Sequence, residues 1–211
     1  MTTESSPYHR RVAEQKRAAI LKAATRLFLD AGYAGTSLAK VAEAAGVSKA
    51  TLFKQFPTKA ALFDAMVAES WAVEDDDGLH PAAGDLRAGL TALGRRYVTL
   101  LTRPGMAALF RIVIAELPRF PELGEAHFER GKMPYFDSVR RYLDAENALG
   151  TARLDDTELA ATQFLGMISN YVLWPRMLLV DWSPDDASTA RVVDEAVLMM
   201  EARYGTANTA A

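Results

Sequence analysis

Apolar residues recur at helical spacing along the chain, and glycines, prolines and short polar clusters cut the pattern into segments. Ile20, Ala23, Ala24, Leu27 and Phe28 share one helix face, and that run stops at Gly32. Ser37, or Thr36, stands where it can cap the next helix, which buries Leu38, Val41, Ala42 and Ala45 and ends at Gly46. Ser48 caps a third helix over 49–56, stopped by Pro57. Thr58 restarts the chain into a fourth helix over 59–71, with Leu62, Met66 and Val67 inward. Residues 74–77, followed by Gly78 and Pro81, read as a linker. Helical patterns then cover 86–101, 106–117, 121–131, 135–149, 155–178 and 186–204. No alternating pattern of strand length interrupts them, so the fold class is all-α.

Charge divides the chain unevenly. Residues 1–60 carry ten Lys and Arg against four acids, a net +6, whereas the remainder carries −9 within an overall charge of −3. A basic head on an acidic body is the footprint of a nucleic-acid reader with a separate second domain; a solvated charged helix is the plainer alternative. Half of the residues are apolar, enough for a sizeable core, and cysteine is absent. That excludes disulfides, thiolate metal sites and a cysteine nucleophile, and it fits a cytoplasmic protein. The apolar stretches at 109–117 and 165–173 fall short of the ~20 residues a membrane span needs. Residues 1–11 are polar and lack the apolar core of an export signal.

Residues 37–56, SLAKVAEAAGVSKATLFKQF, carry the most specific signal. Ala42 and Ala45 are small enough for two helices to approach at a steep angle. Gly46 supplies the left-handed conformation that other residues resist, Val47 plugs the space between the helices, and Ser48 caps the second one. This is the pattern of a helix-turn-helix, whose second helix enters the DNA major groove.

These residues also resemble a known family. Gly32-Tyr33, Thr36-Ser37, Val41-Ala42, Ala45-Gly46-Val47-Ser48-Lys49, Thr51-Leu52-Phe53, Phe56, Lys59 and Leu62-Phe63 are similar, in order and spacing, to TetR/AcrR regulators. Residues 109–123 and 159–177 resemble, more loosely, the C-terminal domain of AefR-like repressors. The resemblance implies a DNA-binding domain over 12–58, a helical effector-binding and dimerisation domain over 59–205, and flexible tails at 1–11 and 206–211. It implies a homodimeric repressor on near-palindromic double-stranded operator DNA. The DNA-contacting set it implies is Thr36, Ser37, Ser48, Lys49, Ala50, Thr51, Phe53, Lys54, Gln55 and Lys59, with Lys59 at a phosphate. Phe53 stands where a tyrosine is frequent and lacks its hydroxyl. Gln55 replaces a frequent histidine or tyrosine and could read adenine. Ala50 replaces a common glycine, and its methyl could meet a thymine methyl.

The segment 155–178 is apolar on nearly every side, so it must be buried on more than one face. The resemblance implies that it pairs, with 186–204, with its symmetry mates, through Phe164, Ile168, Val172, Val193, Val197 and Met200; a central core helix in a monomer is the alternative. The inward face is expected to meet Tyr97, Phe110, Ile114, Phe128, Met133 and Phe136. Together with Arg111, Gln163, Met167, Asn170, Tyr171 and Trp174, these are candidates for a small apolar effector's pocket, or for plain core. A regulator controlled by a protein partner, or binding constitutively, stays open.

Nothing supports an enzyme. His9, His80 and His127 lie far apart without metal-ligand spacing, and no glycine-rich phosphate loop follows a strand. The acids at 75–77 read as solvated linker. No catalytic residue, metal site or cofactor is expected.

Overall fold

The computed structural model describes residues 7–72, 81–179 and 181–206. The expected linker at 74–78 and the ends of both expected tails lie outside the described residues. Eleven α-helices are described: α1 (Pro7–Gly35), α2 (Leu38–Ala44), α3 (Lys49–Gln55), α4 (Lys59–Trp71), α5 (Leu86–Thr102), α6 (Met106–Glu116), α7 (Glu122–Glu125), α8 (Met133–Leu149), α9 (Thr157–Val172), α10 (Trp174–Leu178) and α11 (Asp186–Tyr204). A π-helical segment, Ala126–Lys132, joins α7 to α8. Among the described residues no strand forms; Ala152 and Gly205 make one isolated bridge.

The chain divides into two compact units: residues 1–70 with 111–130, and residues 71–110 with 131–211. The resemblance places a boundary at 58/59, whereas the first unit keeps most of α4 and recruits 111–130 from far along the chain. Two further differences have local causes. Residues 7–11 belong to α1 rather than to a tail. The apolar run 155–178 breaks at Leu173 because Pro175, in the first turn of α10, cannot continue the preceding helix.

In the first unit, α1 bends at Gly32, whose φ of 72° is costly for any residue with a Cβ. Phe28 stacks on Tyr33 at 5.6 Å, and Phe63 meets both rings edge-on. Phe120 packs on Tyr33 at 4.9 Å, which is how the returning segment joins this core. Arg130 pairs with Asp64 at 3.3 Å. His127, also on that segment, is 7% exposed, and burial pushes its imidazole from 6.5 down to about 4. The unfolded chain therefore takes up a proton near pH 6.5 that the folded unit accepts only near 4. Stability is full above about 6.5 and falls as pH drops through that window, by roughly 3 kcal/mol in all. Urea unfolding at about pH 7 and about pH 5 checks this; His127→Phe is expected to flatten the difference.

The second unit packs α5, α8, α9 and α11 around Leu90, Leu93, Val139, Leu143, Phe164, Ile168, Val193 and Val197, none more than 1% exposed. Gly94 lets α5 approach its neighbours: an added Cβ would lie 2.7 Å from Val193 Cγ1 and 3.1 Å from Phe164 Cζ. Gly94→Ala is expected to lower stability by about 1–3 kcal/mol, read from the urea midpoint, because valine at χ1 is too stiff to yield cheaply.

Candidate nucleic-acid interface

Three short elements build the interface locally. Ser37 caps α2 by accepting from the Lys40 N–H at 3.3 Å, and α2 buries Val41 and Ala42. The chain then turns at Gly46, with φ 65°, as the left-handed conformation requires. Ser48 caps α3 by accepting from the Thr51 N–H at 3.1 Å. Leu52 within α3 and Phe56 just beyond it are at most 2% exposed and anchor this helix to the core.

That anchoring turns the other side of α3 outward. Lys49, Ala50, Phe53 and Lys54 are exposed, and their one-, four- and five-residue spacings gather them on one side of the helix. Phe53 is 48% exposed, which puts an apolar ring between two lysines. Ser37 and Ser48 are exposed as caps, and Thr51 is half-buried with its hydroxyl 2.9 Å from that of Ser48. Cationic side chains suit phosphates or guanine edges, and the small and aromatic apolar groups suit thymine methyls or sugar edges.

Three expected contacts are placed differently. Thr36 is 3% exposed, with its hydroxyl within reach of the Leu27 and Gly32 carbonyls at 3.0 and 2.9 Å, so it closes the end of α1. Gln55 is half-buried, and its Oε1 is buried with no hydrogen-bond partner, so it does not present that oxygen to a base edge. Lys59 donates from Nζ to the carbonyls of Tyr33 at 2.8 Å and Thr36 at 3.1 Å, with the ammonium 4.3 Å from the Tyr33 ring centroid. Desolvation pushes its pKa down, Glu116 opposes that, and Arg119 adds to it. Sequence reasoning missed two supporting groups. Glu116 Oε1 accepts the Ala34 N–H at 3.0 Å, just after the bend in α1. The Arg17 guanidinium lies 4.8 Å from the Phe56 ring centroid, a contact signalled only by its charge.

The residues expected to line an effector pocket differ widely in burial and fall in both units. In the second unit Tyr97 and Phe136 are buried, and Tyr97 stacks on Tyr135 at 5.3 Å. Burial pushes the Tyr97 phenol up to about 12, against a hydrogen bond with Ser169. Phe110, Met133, Met167 and Tyr171 are half-buried, whereas Gln163, Asn170 and Trp174 are exposed, Gln163 accepting from the Tyr204 hydroxyl at 2.7 Å. Arg111, Ile114 and Phe128 belong to the first unit and are exposed, the latter two by 51% and 47%.

The expected dimer residues also need correction. Phe164, Ile168, Val172, Val193, Val197 and Met200 are at most 2% exposed and fill the protomer's own core. The outward apolar positions on α9 to α11 are Leu159, Trp174, Leu178, Leu198 and Met199, and Leu179 follows α10. An open cleft between α9 and α11 is lined by Met167, Asn170, Tyr171, Arg191, Glu195 and Met199, among others. Among the described residues, no group of three or more His, Asp or Glu is arranged to hold a metal, and no single helix is long and apolar enough to cross a membrane.

Comparison with known proteins gives consistent matches. Residues 20–66 match the family described as "Bacterial regulatory proteins, tetR family". Residues 88–206 match "AefR-like transcriptional repressor, C-terminal domain". Over 59 residues the chain is 44% identical to the HTH-type transcriptional regulator RutR of Escherichia coli K12, a stretch that spans 28% of each protein. A TetR transcriptional regulator from Agrobacterium tumefaciens is 27% identical with a TM-score of 0.76, over 92% of this chain and 95% of that one. The flavonoid-responsive regulator FrrA is 26% identical with a TM-score of 0.71, over 92% and 99%.

Proposed function

This chain belongs to the TetR family of bacterial DNA-binding transcriptional regulators, which are not enzymes, and from that premise we propose that it is a homodimeric repressor released from its operator by a small, largely apolar effector. The observation that carries the DNA-binding half is the outward face of α3, with Lys49, Ala50, Phe53 and Lys54 exposed above an anchored and capped helix. Two such helices, related by a twofold axis, would read half-sites about 34 Å apart or at a related spacing.

For the dimer, the exposed apolar positions of α9 and α11 supply the contact, with Leu198 and Met199 near its centre. Exposed apolar side chains of this kind, set among Asn170, Arg191 and Glu195, are costly in water and suit a second copy. Sedimentation equilibrium is expected to give a dimer for the wild type and a monomer for Leu198→Glu/Met199→Glu. A wild-type monomer at micromolar concentration would remove the dimer from the account.

The effector is proposed to enter the second unit near Met133 and Phe136, where half-buried and buried apolar groups adjoin. Such a ligand shifts the operator equilibrium only through a difference in affinity between two arrangements of the protein. The flavonoid response in FrrA's name supports a small aromatic or apolar compound as the first class to screen. A constitutive binder is the second reading, favoured by the internal hydrogen bonds that already satisfy Tyr97 and Tyr135. Thermal-shift screening of flavonoids and fatty acids, followed by operator release, separates the two. Stabilisation without any change in DNA affinity would contradict the effector.

A further inference from the structure

The segment that returns to the first unit carries apolar side chains that its core does not use. Ile114 is 51% exposed, Leu117 37% and Phe128 47%. Ile114 and Leu117 lie three residues apart, and the Leu117 N–H donates to the Val113 carbonyl at 2.9 Å, so both project from one side of α6. Leu117 lies against α7, because a Cβ added at Gly124 would come within 2.6 Å of its Cδ2. Phe128 follows Gly124 by about one helical turn. These groups make one outward patch at the junction of α6 with α7 and the π-helical segment. Val113, Leu123 and Ala126 are the buried positions of the same segment, so its packing on the first unit does not draw on the patch.

Exposed apolar groups gathered in this way are unfavourable in water and mark contact surfaces. The charges around them select the partner. Arg111 and Arg119, from α6 and the turn after it, are exposed, as are Glu125 and Glu129, from α7 and the π-helical segment. A polyanion would be repelled by the glutamates, and an acidic or basic protein would meet two like charges. A rim that is basic at one end and acidic at the other is self-complementary, as a twofold contact between identical surfaces requires.

The patch is also tied to the DNA-reading elements of its own unit. Glu116, next to Leu117, accepts the Ala34 N–H at 3.0 Å, and Phe120 packs on Tyr33 at 4.9 Å. Both contacts hold the turn that leads into α2, so a partner fixed at the patch also fixes the placement of α3.

We propose that Ile114, Leu117 and Phe128 meet the same patch of a second copy across the twofold axis, and that this contact clamps the two α3 helices at one separation. This rests on the homodimer proposed above and adds to the contact made by α9 and α11. With the two heads clamped, engagement of one half-site places the second α3 over the other. Affinity then rises without any new contact to DNA.

The chain lacks cysteine, so single introduced cysteines report this contact cleanly. Ile114→Cys and Phe128→Cys, treated with a short bismaleimide, are expected to give covalent dimers on a denaturing gel. Arg26→Cys, exposed on α1, is the control and is expected to give none. For function, Ile114→Ser/Phe128→Ser is compared with the wild type by fluorescence anisotropy over a salt series. The duplexes are one from directly upstream of the protein's own coding sequence and one shuffled to the same length and composition. The serine variant is expected to match the wild-type circular dichroism and to remain a dimer by sedimentation equilibrium, through α9 and α11. Its affinity for the upstream duplex is expected to fall on the order of 10-fold at an unchanged salt slope, because no phosphate contact is lost. Cross-linking no greater than that of Arg26→Cys, in a protein that sediments as a dimer, overturns the patch and leaves the homodimer standing. Wild-type affinity in the serine variant overturns the clamp. A wild-type monomer overturns the homodimer and the patch with it.

Discussion

Glu146→Ala is expected to lower the free energy of unfolding by about 3–5 kcal/mol, the largest effect of any single exposed-to-solvent or buried polar change considered for the second unit. The Glu146 side chain is 0% exposed. Its Oε1 accepts the Gly84 N–H at 3.0 Å and the Tyr142 hydroxyl, and Oε2 accepts the Thr151 hydroxyl. Those partners come from the chain leading into α5, from α8 itself and from the chain leaving α8, so one carboxyl group fastens segments that are far apart in sequence. Burial first, and then Glu146, pushes the Tyr142 phenol up, which keeps it a donor. Removing the carboxyl strands several donors at once. Gly89 makes the arrangement possible, since a Cβ there would lie 2.0 Å from the Tyr142 hydroxyl oxygen. Glu146→Gln retains an acceptor oxygen and is expected to cost less, and Tyr142→Phe about 1 kcal/mol. Urea unfolding monitored by circular dichroism decides the order; a loss under 1 kcal/mol for Glu146→Ala would contradict it.

Lys59→Ala is expected to cost about 2–3 kcal/mol in the first unit and to weaken operator binding at an unchanged salt slope. The ammonium holds the carbonyls of Tyr33 and Thr36, on the short turn after the bend at Gly32, and lies over the Tyr33 ring. Charge-assisted bonds of this kind contribute more than neutral ones, and the ring adds a cation–π term. Losing them frees the turn that leads into α2, so α3 is presented less rigidly. A phosphate ligand would behave differently, because its removal lowers the slope by about 0.9 per contact. A slope that falls by this amount would return Lys59 to the DNA surface.

The parts of the fold legible in the sequence are those decided within a few residues. Ser37, Gly46 and Ser48 act on neighbours three or four positions away, and α2, the turn and α3 form where they predict. Thr36 was harder to read: as a neighbour of a capping serine it looks equally suited to the surface, yet its hydroxyl closes the end of α1. Pro175 was masked by the apolar residues on either side, which made α9 and α10 look like one helix. In α9 and α11 apolar side chains cover several faces, so periodicity alone could not tell Phe164 and Val193, which are core, from Leu159 and Met199, which are outward. The return of 111–130 to the first unit rests on Phe120 and Glu116 meeting α1 across more than eighty residues, a contact that no local pattern encodes. The first turns of α1 read as a polar tail because they bury almost nothing.

If the exposed face of α3 reads DNA, operator binding must depend on Lys49. Fluorescence anisotropy of the wild-type protein on the duplex upstream of its own coding sequence, with the shuffled duplex as competitor, is to be compared with Lys49→Ala across a salt series. The account predicts tight binding to the upstream duplex, a steep salt slope, and a loss of both affinity and preference in Lys49→Ala. Weak binding that is equal on the two duplexes and indifferent to Lys49 would contradict it.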